Sequence, residues 1–307
     1  MKKNRFLFVA MLFAALSFGF VSCENPDDDK FGNSTEQSDD NETPDSGDDD
    51  SDTPSVGIGT FSVAADKQVT FSKGNLQFTQ STDTWSFASA QWEIIGTDNV
   101  TGGEVEYDAT YGYSREGTAL ADKVDLFGWS TGATNFGLRT STSSGDYSSS
   151  FVDWGTNQIG DDVPNTWRTL TYDEWNYLRN RRPNASLLRG VAQVNGVNGL
   201  ILLPDGVTGV TFQSGFNSER GVDYYAAYQT FTADEWSKME VAGAVFLPAA
   251  GGRVGSGVGS VQIGGGYWSA TEGNGGDAGF LGFDSGGALM GDGGRDDGVS
   301  VRLVKDL

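Results

Sequence analysis

The stretch that most constrains this chain runs from Gly264 to Leu307, GGGYWSATEGNGGDAGFLGFDSGGALMGDGGRDDGVSVRLVKDL. Large apolar residues recur through it: Tyr267, Trp268, Leu281, Phe283, Leu289, Val299, Val301 and Leu303. Between them lie almost only Gly, Asp, Asn and Ser. Successive side chains of a strand point to opposite faces. The pattern predicts strands with Leu281 and Phe283 turned inward and Gly282 and Asp284 turned outward. A packed β scaffold would then carry an outer surface of arbitrary chemistry. The ligand-facing positions on this reading are Gly273, Asn274, Gly275, Gly276, Asp277, Gly279, Phe280, Gly282, Asp284, Gly286, Gly287, Asp292, Gly293, Gly294, Asp296 and Asp297. Binding hot spots are usually large aromatics, and Phe280 is the best candidate for one here.

Composition removes several chemistries. The 307 residues include one Cys and no His. Ser-His-Asp triads, Cys-His dyads and His-ligated metal sites therefore need residues that the chain lacks. A single Cys excludes an internal disulfide and a Cys-rich zinc site. The formal charge of -22 repels nucleic acid. Eight Trp and nineteen Phe can still build a sizeable core. Burying one Trp removes roughly 150–250 Å² from water, about 4–6 kcal/mol gross at ~25 cal/mol/Å².

The first residues look like an address. Lys2, Lys3 and Arg5 precede an apolar run from Phe6 to Val21, the layout of a secretory signal. The run is shorter than the ~20 residues of a spanning helix. Phe20-Val21-Ser22-Cys23 resembles a lipobox, with Phe20 in place of the usual aliphatic residue. That resemblance implies acylation of Cys23 and attachment to a membrane through its lipid. Residues 1–22 form the expected signal and 23–56 an acidic tether, too polar to fold and held extended by its charges. Asp27-Asp28-Asp29 resembles the export signal of Bacteroidetes-type surface lipoproteins, which implies an outer-membrane anchor with the protein facing the exterior.

Residues 57–307 form the expected folded domain, a β- and loop-rich part over 57–165 and a core with both helices over 166–307. Phe61-Ser62-Val63, Val69-Thr70-Phe71, Leu76-Gln77-Phe78, Trp85-Ser86-Phe87 and Trp92-Glu93-Ile94-Ile95 read as strands. From Thr97 to Trp154 the Gly-, Ser- and Thr-rich sequence predicts long loops pinned by Phe127, Trp129 and Trp154. Thr171-Tyr172-Asp173-Glu174 and Thr232-Ala233-Asp234-Glu235 each predict a helix opened by a capping box. Trp175 and Leu178 would share one buried face, and Trp236 and Met239 another. The apolar runs ending at Leu203-Pro204 and Leu247-Pro248 suit buried strands.

Some segments resemble a known group. Trp167 to Trp175 and Arg295 to Arg302 are similar to two segments of C-type-lectin-like domains of the formylglycine-generating type. Phe71 to Phe78, Asp125 to Trp129, Asn195 to Gly206, Gly243 to Gly251 and Tyr267 to Thr271 resemble lipoproteins of the major-paralogous-domain kind. The resemblance implies an α+β, C-type-lectin-like fold with two helices, a mostly antiparallel sheet and long irregular loops. Some relatives of this kind are variable proteins of diversity-generating retroelements, in which mutagenesis at adenines turns Asn codons into Asp, Ser and Gly codons. It implies a diversified face over about 273–297 that takes a protein or glycan ligand. The formylglycine-generating enzymes work through cysteines that this domain lacks, so no enzyme activity is expected. The Glu-Pro-Asn, Gln-Pro-Asp and Trp-Asn-Asp triplets of calcium-dependent lectins are also missing.

No cofactor is expected, although Asp292, Asp296 and Asp297 could supply oxygens to a structural Ca²⁺. Gly255-Ser256-Gly257-Val258-Gly259 lacks the following helix that phosphate cradles need and reads as a loop. Two other readings compete with the binding protein. One is a structural or adhesin-type surface subunit. The other is a glycosidase, which needs two carboxyls about 5–9.5 Å apart in a cleft, and the sequence singles out no such pair.

Overall fold

The computed structural model describes residues 59–108, 112–130, 132, 135–147, 150–210, 212 and 229–307. The signal, Cys23 and the tether lie outside the described residues.

In chain order the strands begin with β1 (Phe61–Ala64), β2 (Lys67–Phe71), β3 (Leu76–Thr79), β4 (Thr84–Phe87), β5 (Val100–Thr101), β6 (Val105–Asp108) and β7 (Gly112–Glu116). Then come β8 (Ala119–Leu120), β9 (Lys123–Val124), helix α1 (Tyr172–Asn176), β10 (Arg189–Val194) and β11 (Val197–Leu202). After β12 (Thr230–Phe231), helix α2 (Ala233–Val241) leads into β13 (Val245–Pro248), β14 (Gly252–Val254) and β15 (Gly257–Val261). The last are β16 (Gly264–Glu272), β17 (Asp277–Asp284), β18 (Gly287–Gly294), β19 (Asp297–Gly298) and β20 (Val304–Asp306). The fold is α+β, with two α-helices among the described residues and mostly antiparallel small sheets.

Both helices start as their capping boxes require. The Thr171 hydroxyl accepts from Glu174 N–H, and the Glu174 carboxylate accepts from Thr171 N–H. Thr232 and Glu235 repeat the arrangement. A π-helical turn, Tyr177–Arg181, continues α1. Trp175 and Leu178 are buried, as is Trp236, with Met239 packed partly against its core.

Two expectations for the N-terminal half need correction. Trp92 to Ile95 is not a strand. Its backbone turns, and Ile95 N–H is spent on the buried Asp125 carboxylate at 2.9 Å. The region from Thr97 to Trp154 holds strands as well as loops, among them the hairpin of β6 and β7. That hairpin extends the sheet β19-β14-β15-β7-β6. Gly255 and Ser256 form the turn joining β14 and β15, so Gly257 to Gly259 belong to a strand.

Continuous apolar runs mark strands covered on both faces. Leu200 and Leu202 of β11 enter one core with Trp175, Tyr267 and Phe283, while Ile201 enters another with Trp236 and Phe246. The same holds for β17. Leu281 and Phe283 enter the first core, and Ala278 and Phe280 enter a third with Trp129, Trp154 and Trp268. Both parts of the domain contribute to these cores, and β20 pairs directly with β2.

Candidate functional site

The C-terminal sheet has the order β16-β17-β18. Strand β17 pairs on both sides, and its side chains enter a core on either face. This overturns the expectation for its alternate positions. Gly279, Phe280, Gly282 and Asp284 are all buried, Phe280 at 3% exposure and Asp284 at 4%.

Each burial has a local cause. A β-carbon at Gly279 would stand 2.7 Å from Tyr172 Cδ2, because α1 lies against this face. A β-carbon at Gly282 would stand 2.8 Å from Phe280 Cε2. Phe280 itself meets Trp268 edge-on at 6.3 Å, so it is a core ring and no hot spot. Asp284 Oδ1 accepts from Gly286 N–H at 2.7 Å, which folds its carboxylate into the hairpin turn. Gly293 is buried as well.

The other candidate positions are at least partly open. Asn274, Gly275 and Asp292 are exposed, and Gly273, Gly276, Asp277, Gly286, Gly287, Gly294, Asp296 and Asp297 are half-buried. Asn274 to Gly276 form the β16–β17 turn, closed by Gly273 N–H to Asp277 O at 2.9 Å. Gly275 and Gly276 have φ of 68° and 100°, values that favour glycine.

Arg295 braces this turn from below. Its guanidinium lies over the Trp129 ring at 4.6 Å. It donates to the Asp277 and Tyr147 carbonyls at 3.2 Å each and pairs with the Glu272 carboxylate. One buried cation thus ties the turn to a distant loop. Ser144 of that loop donates to Asp296 Oδ1 at 2.5 Å. Burial and the neighbouring Asp296 push the Asp297 carboxyl up to about 7, against the pull of a hydrogen bond from Gly294 N–H. Ser144, Tyr147 and Tyr172 reach the site from remote segments, and no local motif marks them.

The described residues hold no cluster of three or more acidic or thiol groups that could bind a metal, so Asp292, Asp296 and Asp297 do not converge on one point. Glu174, which resembles an acid–base candidate by its position beside Asp173, is occupied by Thr171, Arg168 and Lys67. A cleft of about 270 Å³ lies elsewhere, beside Lys73, Gln91 and Glu240. The Gln91 amide is already spent there on Glu240, Ala244, Phe246 and Arg302. Exposed aromatics occur on the β6–β7 hairpin, where Tyr107 (60%) and Tyr113 (49%) meet edge-on.

The C-terminal sheet thus sets a strand buried on both faces between an open turn and an edge strand. No family model, curated protein or solved structure matches this chain.

Proposed function

We propose that this chain is a lipid-anchored, surface-displayed binding protein with a C-type-lectin-like fold. Its binding surface is the open part of the C-terminal sheet, the turn Gly273 to Asp277 together with Gly286, Gly287, Asp292, Gly294, Asp296 and Asp297. The observation that carries the reading is an open turn, Asn274 to Gly276, and an exposed Asp292, both seated beside a strand buried on both faces. Such a frame holds its shape while the outer groups change. Positions 279, 280, 282, 284 and 293 leave the diversified set, since all five are buried.

Two measurements test the reading. A library varying Asn274, Gly286 and Asp292 should keep its melting temperature within about 4 °C, the shift of a change under ~1 kcal/mol. Collapse of most members would remove the variable face. On intact cells, added protease should digest the wild-type protein, and Cys23→Ala should release it from the membrane fraction. Protection of the domain from protease, or retention of the variant, would overturn the anchored display.

A further inference from the structure

The open edge of β18 carries a further inference, which rests on the reading above. Trp268 N–H donates to Ser300 O at 3.1 Å, and Ser300 N–H donates to Gly266 O at 2.9 Å. Gly266 and Trp268 therefore turn their backbone groups away from β17, leaving Gly265 and Tyr267 to pair with Phe283 and Leu281. The alternation then sends the groups of Phe280 and Gly282 toward Gly291 and Leu289 of β18. Ala288, Met290 and Asp292 are left facing outward. A side-chain contact agrees: Arg179 Nη1 donates to the Ala288 carbonyl at 2.8 Å.

The two ends of this edge are closed. Arg179 covers the Ala288 carbonyl, and the Asp297 carboxylate takes Gly294 N–H. Between them, Met290 and Asp292 present N–H and C=O groups with no strand beside them among the described residues. Proteins guard such edges with charged side chains, above all Lys, and with Pro, bulges or short strands. β18 runs eight residues, contains no Lys or Pro and keeps register with β17 throughout, and its one charged residue is Asp292. Gly287, Gly291 and Gly293 leave little side-chain bulk over the strand.

We propose that β18 accepts an extended peptide as a fourth strand, with a basic side chain of that peptide beside Asp292. Charge selects the partner. Asp292 is exposed on the strand, and Asp277 and Asp296 lie at the same end, close enough to act on Asp297. A second copy would bring its own Asp292 to the seam, and each whole chain carries a formal charge of -22. Main-chain bonds would supply the affinity and the acids the preference, as in strand addition generally.

The test uses the full chain and a capped heptapeptide of alternating threonine and lysine, followed by fluorescence anisotropy. The peptide should bind, and a form N-methylated at alternate residues should bind about tenfold more weakly, the loss of one or two hydrogen bonds. Asp292→Asn should weaken binding by less than Asp292→Pro, which also removes an outward N–H. Amide exchange at Met290 and Asp292 should slow when peptide is present. Equal binding of the N-methylated form would reduce the contact to charge attraction and overturn strand addition, as would no binding at all. A dimer in sedimentation that Asp292→Pro dissolves would assign the edge to a second copy instead. These readouts do not involve Cys23 or protease access, so their failure leaves the display reading standing.

Discussion

Gly279 and Asn274 look alike in the sequence, as small polar-region residues between apolar ones, yet the structure separates them. Gly279 lies under Tyr172, and its β-carbon would also stand 3.0 Å from Ser269 Oγ. Gly279→Ser should cost about 1–3 kcal/mol by overpacking, while Asn274→Ser should stay within about 0.5 kcal/mol. Urea unfolding of the two variants measures the difference. Phe280→Ala should cost about 3–5 kcal/mol, as for a buried ring. The sequence did hold the warning. Residues 278–283 read Ala-Gly-Phe-Leu-Gly-Phe, with no charged or amide side chain. Such a run belongs to a strand covered on both faces. The alternation of Leu281 and Phe283 with smaller residues suggested one open face, because a glycine looks the same whether water or a ring lies over it.

At the scale of elements, the helices were the most legible parts. Thr171, Glu174, Thr232 and Glu235 announce both helix starts through local chemistry alone. What the spacing could not tell is that the two boxes differ in their surroundings. Glu174 also takes Arg168 Nη1 at 2.7 Å and Lys67 Nζ at 2.9 Å. Arg168 reaches on to Asp306 of β20 at 2.7 Å. The box of α1 is therefore a junction between a helix, β2 and β20, whereas Glu235 is exposed. Glu174→Ala should cost about 2–4 kcal/mol, combining a lost cap with lost charged hydrogen bonds. Glu235→Ala should cost clearly less. Thermal melts of both variants in one buffer test the order. The strands of β5 to β9 were illegible for a related reason. Short segments such as Val100–Thr101 become strands only because a remote partner, here Ala119–Leu120, arrives beside them.

For the molecule as a whole, acid and base act on different groups. Burial pushes the Asp125 carboxyl up to about 6 and, with Asp296, that of Asp297 to about 7. The fold favours the protonated form of both, so their contribution is present below about pH 4 and lost as pH rises toward 7. Glu174 moves the other way: against the penalty of burial, its bonds with Arg168, Thr171 and Lys67 hold its carboxyl below the usual range. Its contribution is lost as pH falls below about 4.5. Stability should therefore peak near pH 4–5, where the net negative charge is also smallest given a sequence pI near 4.1. Melting temperatures from pH 3 to 8 check the peak, and Asp297→Asn should flatten its alkaline side. The pairing of Phe71 with Val304 carries one more consequence. The strand β2 cannot gain its second neighbour until every strand between it and β20 has been synthesised. Until then this edge of the sheet stays open, and closure of the domain waits on the last of its strands.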